Sequence, residues 1–550
     1  MFPSAFSTTT RGTMTSGSAV QSTFAGEAIF RIFIVFLVVS AGTLSAQTYT
    51  DLYDFLGKPD GCCPQYSSVM AQGRDGNLYG ITTTGGANNI GSVFKVTPAG
   101  AHTALYSFDT THGSTPIGGL VLGLDGNIYG TTEFGGAHGF GNIFKITPAG
   151  VLTVIYDFTG GTDGGFPVSA LIIGSDGNFY GTSHPGIAFR VTPAGVFTPI
   201  AKIPSESYGP LLLARNGSYY GVTEFAGTNT DGTIYKVTGK TSTTLYNFDG
   251  PHGAFPIGGL VEGSDGNLYG TTSAGGANND GEIFRITPAG ALTVLVNFDH
   301  LQPLLGYTAF AGLIAGNDGN LYGATIWGGD NGYGVIFRMT TAGAYSVLSS
   351  FYRPTGDGAY ATPMQHTNGS IFGLTSRGGV GLDGVVYSFN TGLSPFAYLT
   401  STSGLVGKSV GILGNGFSTV SSVTFNGTPA SFHVISNTYM TTTVPSGETG
   451  FVMVTTTSGR LLSSKIFRVT PKIIGFNPTS GKVGDHITLS GTGLIQTAAV
   501  AVGGVRVTAF TVNSDLQITF VVPTGAKTGK VAVSTPGGTA ISSETFTVTP

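Results

Sequence analysis

Asp125-Gly126-Asn127-Ile128-Tyr129-Gly130 is one of seven copies of a single motif in this chain. The pattern Asp-Gly-Asn-x-Tyr-Gly also begins at residues 75, 176, 265 and 318, and weaker copies begin at residues 216 and 368. Successive starts are 50, 51, 40, 49, 53 and 50 residues apart. A period of about fifty residues is typical of the blades of a β-propeller.

Each repeat is predicted to contain four short strands, A to D. In the second copy they cover residues 117–123, 128–132, 142–147 and 152–158. Asp-Gly and Pro-x-Gly turns separate A from B and C from D, because glycine supplies positive φ and proline presets the entry angle. The alternation in Phe144-Lys145-Ile146 has the period of two that indicates a strand.

The ends of the repeat array predict a closed ring. The D-strand pattern of residues 153–158 also opens the array, as Thr50-Asp51-Leu52-Tyr53-Asp54-Phe55. The seventh copy has strands at 362–365, 370–375 and 384–389 but no D strand. Pairing the first strand with the last repeat leaves no open edge. We therefore predict an all-β, seven-bladed β-propeller over residues 47–394, with Leu52 and Tyr53 beside Val385 and Val386.

A different pattern occurs twice after the propeller. The first copy contains Gly414-Asn415-Gly416-Phe417 and ends at Pro471, and the second contains Pro478-Thr479-Ser480-Gly481 and ends at Pro550. Short alternating strands with frequent turns over about eighty residues indicate a small β-sandwich. We predict two immunoglobulin-like domains, at residues 395–471 and 472–550.

The N-terminus indicates export, and the composition limits the expected partners. Arg31, the apolar run 32–39 and the small residues before Gln47 predict a signal peptide over residues 1–46. No later segment is predicted to span a membrane, and no C-terminal anchor is predicted. Only 9% of residues are charged and the net charge is −4, so nucleic acid is not an expected partner. The chain is predicted to be a monomer.

These motifs resemble two known families. The repeats, with Gly-Gly-Ala-Asn-Asn and Phe-Lys-x-Thr-Pro-Ala-Gly after the turn motif, are similar to the GloVer-type tandem repeat of bacterial surface and secreted proteins. The two C-terminal units are similar to IPT/TIG domains, through Pro-Thr-Ser-Gly, Gly-x-Gly-Leu/Phe and Val-Pro. The resemblance implies immunoglobulin-like spacers or binding modules in an extracellular protein. It implies no particular chemistry for the repeats.

The motif aspartates and tyrosines are interpreted as structural residues rather than as metal or ligand sites. The motif aspartates each offer one carboxylate, whereas calcium needs six to eight oxygen ligands, so we expect them to hydrogen-bond their own turns. The motif tyrosines are expected to pack between blades rather than to bind a ligand. The adjacent Cys62 and Cys63 either form a vicinal disulfide or remain thiols.

A binding site is predicted on the face formed by the B–C and D–A loops, where the copies diverge and charges collect. The candidate ligand-binding residues are Glu133, His138, Glu224, Trp327, Asp330 and Arg377. Nucleophile-elbow, zinc-protease and Walker patterns are absent from the sequence, so no catalytic residue, cofactor or metal site is predicted.

Three functions remain open from the sequence. The first is a secreted or cell-surface binding or scaffold protein that takes a glycan or a protein on the loops. The second is an extracellular carbohydrate-active hydrolase or lyase with carboxylates at the propeller channel. The third is a structural component of a surface layer or matrix.

Overall fold

A computed structural model describes residues 47–58, 60–65 and 69–550. The predicted signal peptide lies outside the described residues. The described chain is built from β-strands, and its helical segments are three short 3-10 turns, at Pro303–Leu305, Arg353–Thr355 and Phe417–Thr419. Within the same ranges, no helix has the length and apolar character needed to cross a membrane.

Seven four-stranded antiparallel sheets account for the repeats. Their strands are β1 (Thr48–Asp54), β2 (Ala71–Gln72), β3 (Leu78–Thr82), β4 (Ser92–Val96), β5 (His102–Ser107), β6 (Val121–Leu122), β7 (Ile128–Thr132), β8 (Asn142–Ile146), β9 (Leu152–Asp157), β10 (Ile172–Ile173), β11 (Phe179–Ser183), β12 (Ile187–Val191), β13 (Phe197–Lys202), β14 (Leu212–Leu213), β15 (Tyr219–Thr223), β16 (Thr233–Thr238), β17 (Thr241–Asn247), β18 (Val261–Glu262), β19 (Leu268–Thr272), β20 (Glu282–Ile286), β21 (Leu292–Asn297), β22 (Ile314–Ala315), β23 (Leu321–Ala324), β24 (Val335–Met339), β25 (Tyr345–Ser350), β26 (Met364–Gln365), β27 (Ile371–Leu374) and β28 (Val385–Asn390). Sheet 1 contains β2–β5, sheet 2 contains β6–β9 and sheet 3 contains β10–β13. Sheet 4 contains β14–β17, sheet 5 contains β18–β21 and sheet 6 contains β22–β25. Sheet 7 contains β26–β28 together with β1.

The first strand pairs with the last repeat, as the sequence predicts. Strand β1 runs antiparallel to β28, with Tyr53 opposite Val386 and Asp54 opposite Val385. Leu52 falls at a shift of register between residues 51 and 53. Strand β1 therefore supplies the fourth strand of sheet 7, which the seventh repeat lacks.

Apolar clusters join each sheet to the next. Sheets 7 and 1 share one that contains Phe55, Phe94 and Phe372. The others are represented by Tyr79 and Phe144 (sheets 1 and 2), Tyr129 and Phe189 (2 and 3), Tyr180 and Tyr235 (3 and 4), Tyr220 and Phe284 (4 and 5), Tyr269 and Phe337 (5 and 6), and Tyr322 and Tyr387 (6 and 7). The motif tyrosines are thus buried between neighbouring sheets, which confirms their predicted packing role.

Hydrogen bonds also link the first and last sheets. Gln72 Nε2 donates to Thr367 Oγ1 at 2.8 Å, and the Thr367 N–H donates to Gln72 Oε1 at 3.0 Å. His366 Nε2 lies 3.0 Å from the Gly76 carbonyl oxygen. Residues at the two ends of the repeat array therefore meet through polar as well as apolar contacts.

The A strands of the second and seventh repeats are shorter than predicted. Strand A of the second repeat covers Val121–Leu122 rather than 117–123, and that of the seventh covers Met364–Gln365 rather than 362–365. The Leu120 N–H donates to the Val69 carbonyl of the preceding sheet, and a Cβ on Gly118 would lie 2.3 Å from the Ser169 carbonyl oxygen. The residues just before strand A therefore pack against neighbouring sheets instead of pairing with strand B of their own sheet.

The repeated Asp-Gly-Asn motif is a self-capping turn, as predicted. Asp125 Oδ1 accepts from the Asn127 N–H at 3.1 Å, and Oδ2 accepts from Asn127 Nδ2 at 2.6 Å and from the Tyr129 hydroxyl at 2.8 Å. Gly126 has a φ of 90°, a conformation that favours glycine. Burial raises the pKa of Asp125, but these hydrogen bonds outweigh burial and hold the pKa below its ordinary value.

We expect Asp125→Ala to lower the free energy of unfolding by about 1–3 kcal/mol, because it removes three hydrogen bonds and leaves the hydroxyl of the buried Tyr129 without its acceptor. Urea unfolding measures the change, with the exposed Glu544→Ala as a control for loss of a carboxylate. Stabilisation of the parent protein by added calcium, absent in Asp125→Ala, would contradict the turn interpretation.

Two sandwiches follow, and each has its own core, as predicted for immunoglobulin-like domains. The first contains β29 (Tyr398–Leu399), β30 (Ser403–Leu405), β31 (Ser409–Leu413), β32 (Ser422–Phe425), β33 (Thr428–Ala430), β34 (Phe432–Val434), β35 (Tyr439–Thr443), β36 (Val452–Thr456), β37 (Gly459–Leu462) and β38 (Arg468–Thr470). The second contains β39 (Lys472–Asn477), β40 (Ser480–Gly481), β41 (His486–Thr492), β42 (Ala499–Val502), β43 (Val505–Arg506), β44 (Phe510–Ser514), β45 (Gln517–Val521), β46 (Gly529–Thr535) and β47 (Gly538–Val548). In each, sheets face each other across the apolar core.

Candidate functional site

One end of the seven sheets is formed by the B–C and D–A loops, which we call the loop face. The first C-terminal sandwich contacts the opposite end, where the A–B turns lie. Thr438 Oγ1 donates to the Arg74 carbonyl at 2.8 Å, and the Arg74 guanidinium lies 4.4 Å from the centre of the Tyr439 ring. Asn415 Nδ2 donates to Thr367 Oγ1 at 3.0 Å. These contacts leave the loop face on the side away from the sandwich.

A recurring corner shapes the loop face. In five D–A connections one residue, which we call the corner residue, has a positive φ of 49° to 60°. These residues are Cys63, Thr115, Phe166, Phe255 and Thr308. Such angles are strained for bulky or β-branched side chains. Each corner N–H donates to a carbonyl of the preceding sheet's B–C loop, for example Phe255 to Asp231 at 2.8 Å. The strain is therefore offset by hydrogen bonds that tie neighbouring sheets together.

Three glutamates come together on sheets 2 to 4. Glu133 and Glu224 follow the B strands β7 and β15, and Glu206 lies in the connection between sheets 3 and 4. Burial, followed by the nearby Glu206 charge, raises the pKa of both Glu133 and Glu224 to about 7. His184 Nδ1 lies 3.0 Å from Glu206 Oε2. Glu133 and Glu224 can therefore gain and lose a proton near neutral pH, within the influence of the Glu206 carboxyl group.

Exposed aromatic rings accompany these glutamates. Phe134 and Phe225 are the next residues after Glu133 and Glu224, and they are 42% and 50% exposed. Phe134 packs at 5.5 Å against Phe166, and Phe225 packs at 5.5 Å against Phe255. Each ring is thus held from one side by a corner residue and left open on another. Carboxyl groups beside supported aromatic rings form the acidic–aromatic cluster, which we define as residues 133, 134, 184, 206, 224 and 225.

The other predicted site residues lie elsewhere on the loop face. His138 is exposed in the B–C loop of sheet 2. Trp327 of sheet 6 is 36% exposed and bridges to Tyr307, while Asp330 accepts a hydrogen bond from Ser350. Arg377 of sheet 7 exchanges backbone hydrogen bonds with Asp357. Of the six candidates, the structure brings Glu133 and Glu224 to one cluster, whereas the other four are not part of it.

Sequence reasoning missed Glu206, His184, Phe134 and Phe225 as members of this cluster. Phe134, His184 and Phe225 occupy the same position in their repeats as Thr84, Ala274, Trp327 and Arg377. This is one of the most variable positions of the repeat, and that variability was the available signal. Glu206 stands where other repeats have a corner residue such as Phe166 or Phe255, and the shortening between the third and fourth motif copies hides this equivalence.

Two groups of side chains have metal-ligand atoms close together within the described part of the chain. In the group of Cys62, Cys63 and Asp383, the two sulfurs form a vicinal disulfide, one of the two alternatives left open by the sequence. In the group of Asp280, Asp299 and His300, His300 Nδ1 is already within 2.6 Å of Asp280 Oδ2. In neither group are all of the ligand atoms free, so neither group indicates a metal site.

Protein-family models match both parts of the chain. The Gloeobacter/Verrucomicrobia repeat matches residues 38–197, and the IPT/TIG domain matches residues 391–467 and 471–549. Both resemblances inferred from the sequence are therefore confirmed. No curated protein matches this chain.

Several solved structures show a weaker likeness. A surface glycan-binding protein of Prevotella bryantii is 19% identical over 28% of this chain and 38% of its own, with a TM-score of 0.21. One from a xyloglucan utilisation locus of Bacteroides uniformis is 21% identical over 28% and 50%, with a TM-score of 0.15. An extracellular domain from Bacteroides thetaiotaomicron is 10% identical over 91% and 58%, with a TM-score of 0.43. This chain spans half or less of the two glycan-binding proteins, and at these scores the likenesses carry no functional argument.

Proposed function

We propose that this chain, which carries the Gloeobacter/Verrucomicrobia repeat and two IPT/TIG domains, is an extracellular binding protein that takes a glycan on its loop face. The observation that carries this proposal is the acidic–aromatic cluster. Aromatic rings stack on the apolar faces of sugar rings, and carboxyl groups hydrogen-bond sugar hydroxyls. Phe134 and Phe225 offer the first kind of contact, and Glu133, Glu206 and Glu224 offer the second.

The architecture we propose places this cluster on a rigid ring. Residues 47–394 form a seven-bladed β-propeller closed by β1, and residues 395–471 and 472–550 form two immunoglobulin-like spacers. The seven apolar interfaces and the pairing of β1 with β28 support closure. Contacts of the first sandwich with Arg74 and Thr367 support a spacer that leaves the loop face open. Divergent loops on a rigid scaffold suit recognition.

We further propose a secreted or cell-surface location and a monomeric state. The predicted signal peptide at residues 1–46 is the main support. The Cys62–Cys63 disulfide is consistent with an oxidising compartment, because disulfides persist outside the reducing cytosol. Neither nucleic acid nor a membrane-spanning segment is part of the proposal.

The test is binding to a glycan array, followed by titration of the best ligand. We expect Phe225→Ala and Glu206→Gln each to weaken binding by about tenfold, the size expected for loss of a stacking or charge-assisted contact. Phe432→Ala, which removes a partly exposed ring from the first sandwich, is the matched control. Equal affinity of all variants for the glycan contradicts the proposed site. Capture of a protein but of no glycan supports the protein-ligand alternative instead.

A second candidate function is hydrolysis or elimination at a sugar linkage. The specific observation is that Glu133 and Glu224 have pKa values near 7 while Glu206 lies close to both. A carboxyl group that titrates near neutral pH can act as a general acid or a general base. Incubation of the bound oligosaccharide with the parent protein and with Glu133→Gln separates the two functions. Recovery of uncut ligand from the parent supports binding, whereas turnover that Glu133→Gln abolishes supports an enzyme.

A further inference from the structure

Glu282 is a buried acid at the loop-face end of sheet 5. It is the first residue of β20, where the other repeats place Ser92, Asn142, Ile187, Thr233, Val335 and Val385. Its exposed fraction is 0%. The repeat therefore folds with small hydroxyl, amide or aliphatic side chains at this position, and a charge there is not a requirement of the blade.

The Glu282 carboxyl group is unusual because its oxygens lack partners. Among the described residues, neither Oε1 nor Oε2 has a hydrogen-bond partner. The equivalent Thr233 Oγ1 lies 2.7 Å from Thr223 Oγ1, and Ser92 Oγ donates to the Asp60 carbonyl at 2.8 Å. An ionised carboxylate without such partners is strongly disfavoured in a protein interior.

Two loops close over this carboxyl group. A Cβ on Gly253, in the connection before sheet 5, would lie 2.9 Å from Oε1. A Cβ on Gly276, in the B–C loop of sheet 5, would lie 3.0 Å from Oε2. Each oxygen therefore faces the backbone of one loop, and hydration of a charge would require these loops to separate.

The titratable groups around Glu282 come from several elements. His252 and Asp249 lie in the connection before sheet 5 and pair at 2.9 Å, Tyr246 lies on β17, and Asp280 in the B–C loop pairs with His300 at 2.6 Å. Thr272 on β19 and Asn297 on β21 add no charge. Burial raises the pKa of Glu282 to about 7, the His252 charge opposes this and the Asp249 charge reinforces it.

We propose that Glu282 is a proton-dependent latch: loops 249–256 and 275–281 stay packed over its carboxyl group while it is protonated, and they separate to hydrate the charge when the proton is lost. The first loop includes Phe255, whose ring supports Phe225. Opening therefore removes the support of one aromatic ring of the acidic–aromatic cluster. The latch itself rests on the geometry around Glu282 and does not depend on the proposed ligand.

Amide hydrogen exchange of the full chain at pH 5 and pH 7.5, corrected for the intrinsic pH dependence, tests the latch. We expect exchange in peptides covering 249–256 and 275–281 to rise at least about tenfold in the parent protein. The reason is that the ionised fraction of Glu282 changes about tenfold for each pH unit below its pKa of about 7. Glu282→Gln, and Glu282→Thr, which copies the residue of sheet 4, are expected to abolish the rise. Glu544→Gln, at an exposed position, is expected to retain it.

A parent protein whose two loops exchange equally at both pH values overturns the latch, and so does a rise that persists in Glu282→Thr. Use of Glu282→Thr keeps the test decisive if the glutamine variant folds poorly. The readout contains no ligand, so failure of the latch is distinguishable from failure of the proposed glycan site.

Discussion

Replacing Phe55 with alanine is expected to lower the free energy of unfolding by about 3–5 kcal/mol, the usual range for truncation of a buried phenylalanine. Phe55 follows β1 and is fully buried. Its ring centre lies 5.2 Å from that of Phe94 in sheet 1, and its cluster also contains Phe372 and Leu374 of sheet 7. The cavity would therefore open between the first and last sheets, where β1 joins the two ends of the repeat array.

Urea unfolding of the full chain measures this loss. Leu56→Ala is the matched control, because Leu56 is the next residue and is exposed, so its truncation should change the free energy by less than about 0.5 kcal/mol. A Phe55→Ala protein within about 1 kcal/mol of the parent would show that the contact between sheets 7 and 1 contributes little to stability. The proposed closure of the ring by β1 would then lose its energetic basis.

The free energy of unfolding is expected to fall as the pH rises from about 4.5 to about 7. Burial raises the pKa of Glu282 in the folded protein to about 7, whereas an unfolded glutamate titrates near 4.5. The folded state therefore holds a proton that the unfolded state has released, and stability falls with pH across this window. This difference in pKa between the folded and unfolded states corresponds to a loss of at most about 3 kcal/mol in the free energy of unfolding. Local opening of the loops makes the loss smaller. Glu133 and Glu224 act in the same direction.

Urea unfolding at several pH values between 4.5 and 8, with the parent protein and Glu282→Gln, tests this expectation. The variant should show a shallower decline and should exceed the parent in stability at pH 8. Aspartates such as Asp125 and Asp109 have lowered pKa values, so their contribution is lost only in more acidic solution and does not obscure the window. A parent protein that gains stability between pH 5 and pH 7 would contradict the assignment.

Short-range features were predictable because their causes lie within a few residues. The Asp125 turn depends on Asn127 and Tyr129, and all three belong to one motif. The role of β1 was predictable for a different reason. A D-strand pattern occurs at residues 50–55, before the first repeat, and the seventh repeat lacks a D strand of its own. Strand A was predicted too long because residues 117–120 are apolar or small, yet their partners belong to neighbouring sheets.

The candidate site was only partly predictable. Glu133 and Glu224 stood out as charges in divergent loops, but Glu206 lies in a repeat shortened to forty residues, which hides its equivalence to Phe166 and Phe255. The pairing of His184 with Glu206 spans 22 residues and joins a loop to an inter-sheet connection. Trp327 and Arg377 have the same repeat position as Phe134, yet they belong to other sheets, so similarity of position did not indicate proximity.

The sequence by itself determined the repeat, its turns, the order of the strands and the two C-terminal sandwiches, because backbone conformation and strand pairing follow from local residue patterns. Only the tertiary structure decided which loops meet. The convergence of Glu133, Glu206 and Glu224, and the complete burial of Glu282 against Gly253 and Gly276, depend on packing between segments tens of residues apart. Desolvation and charge proximity act through space, so these protonation properties arise only once the sheets are assembled.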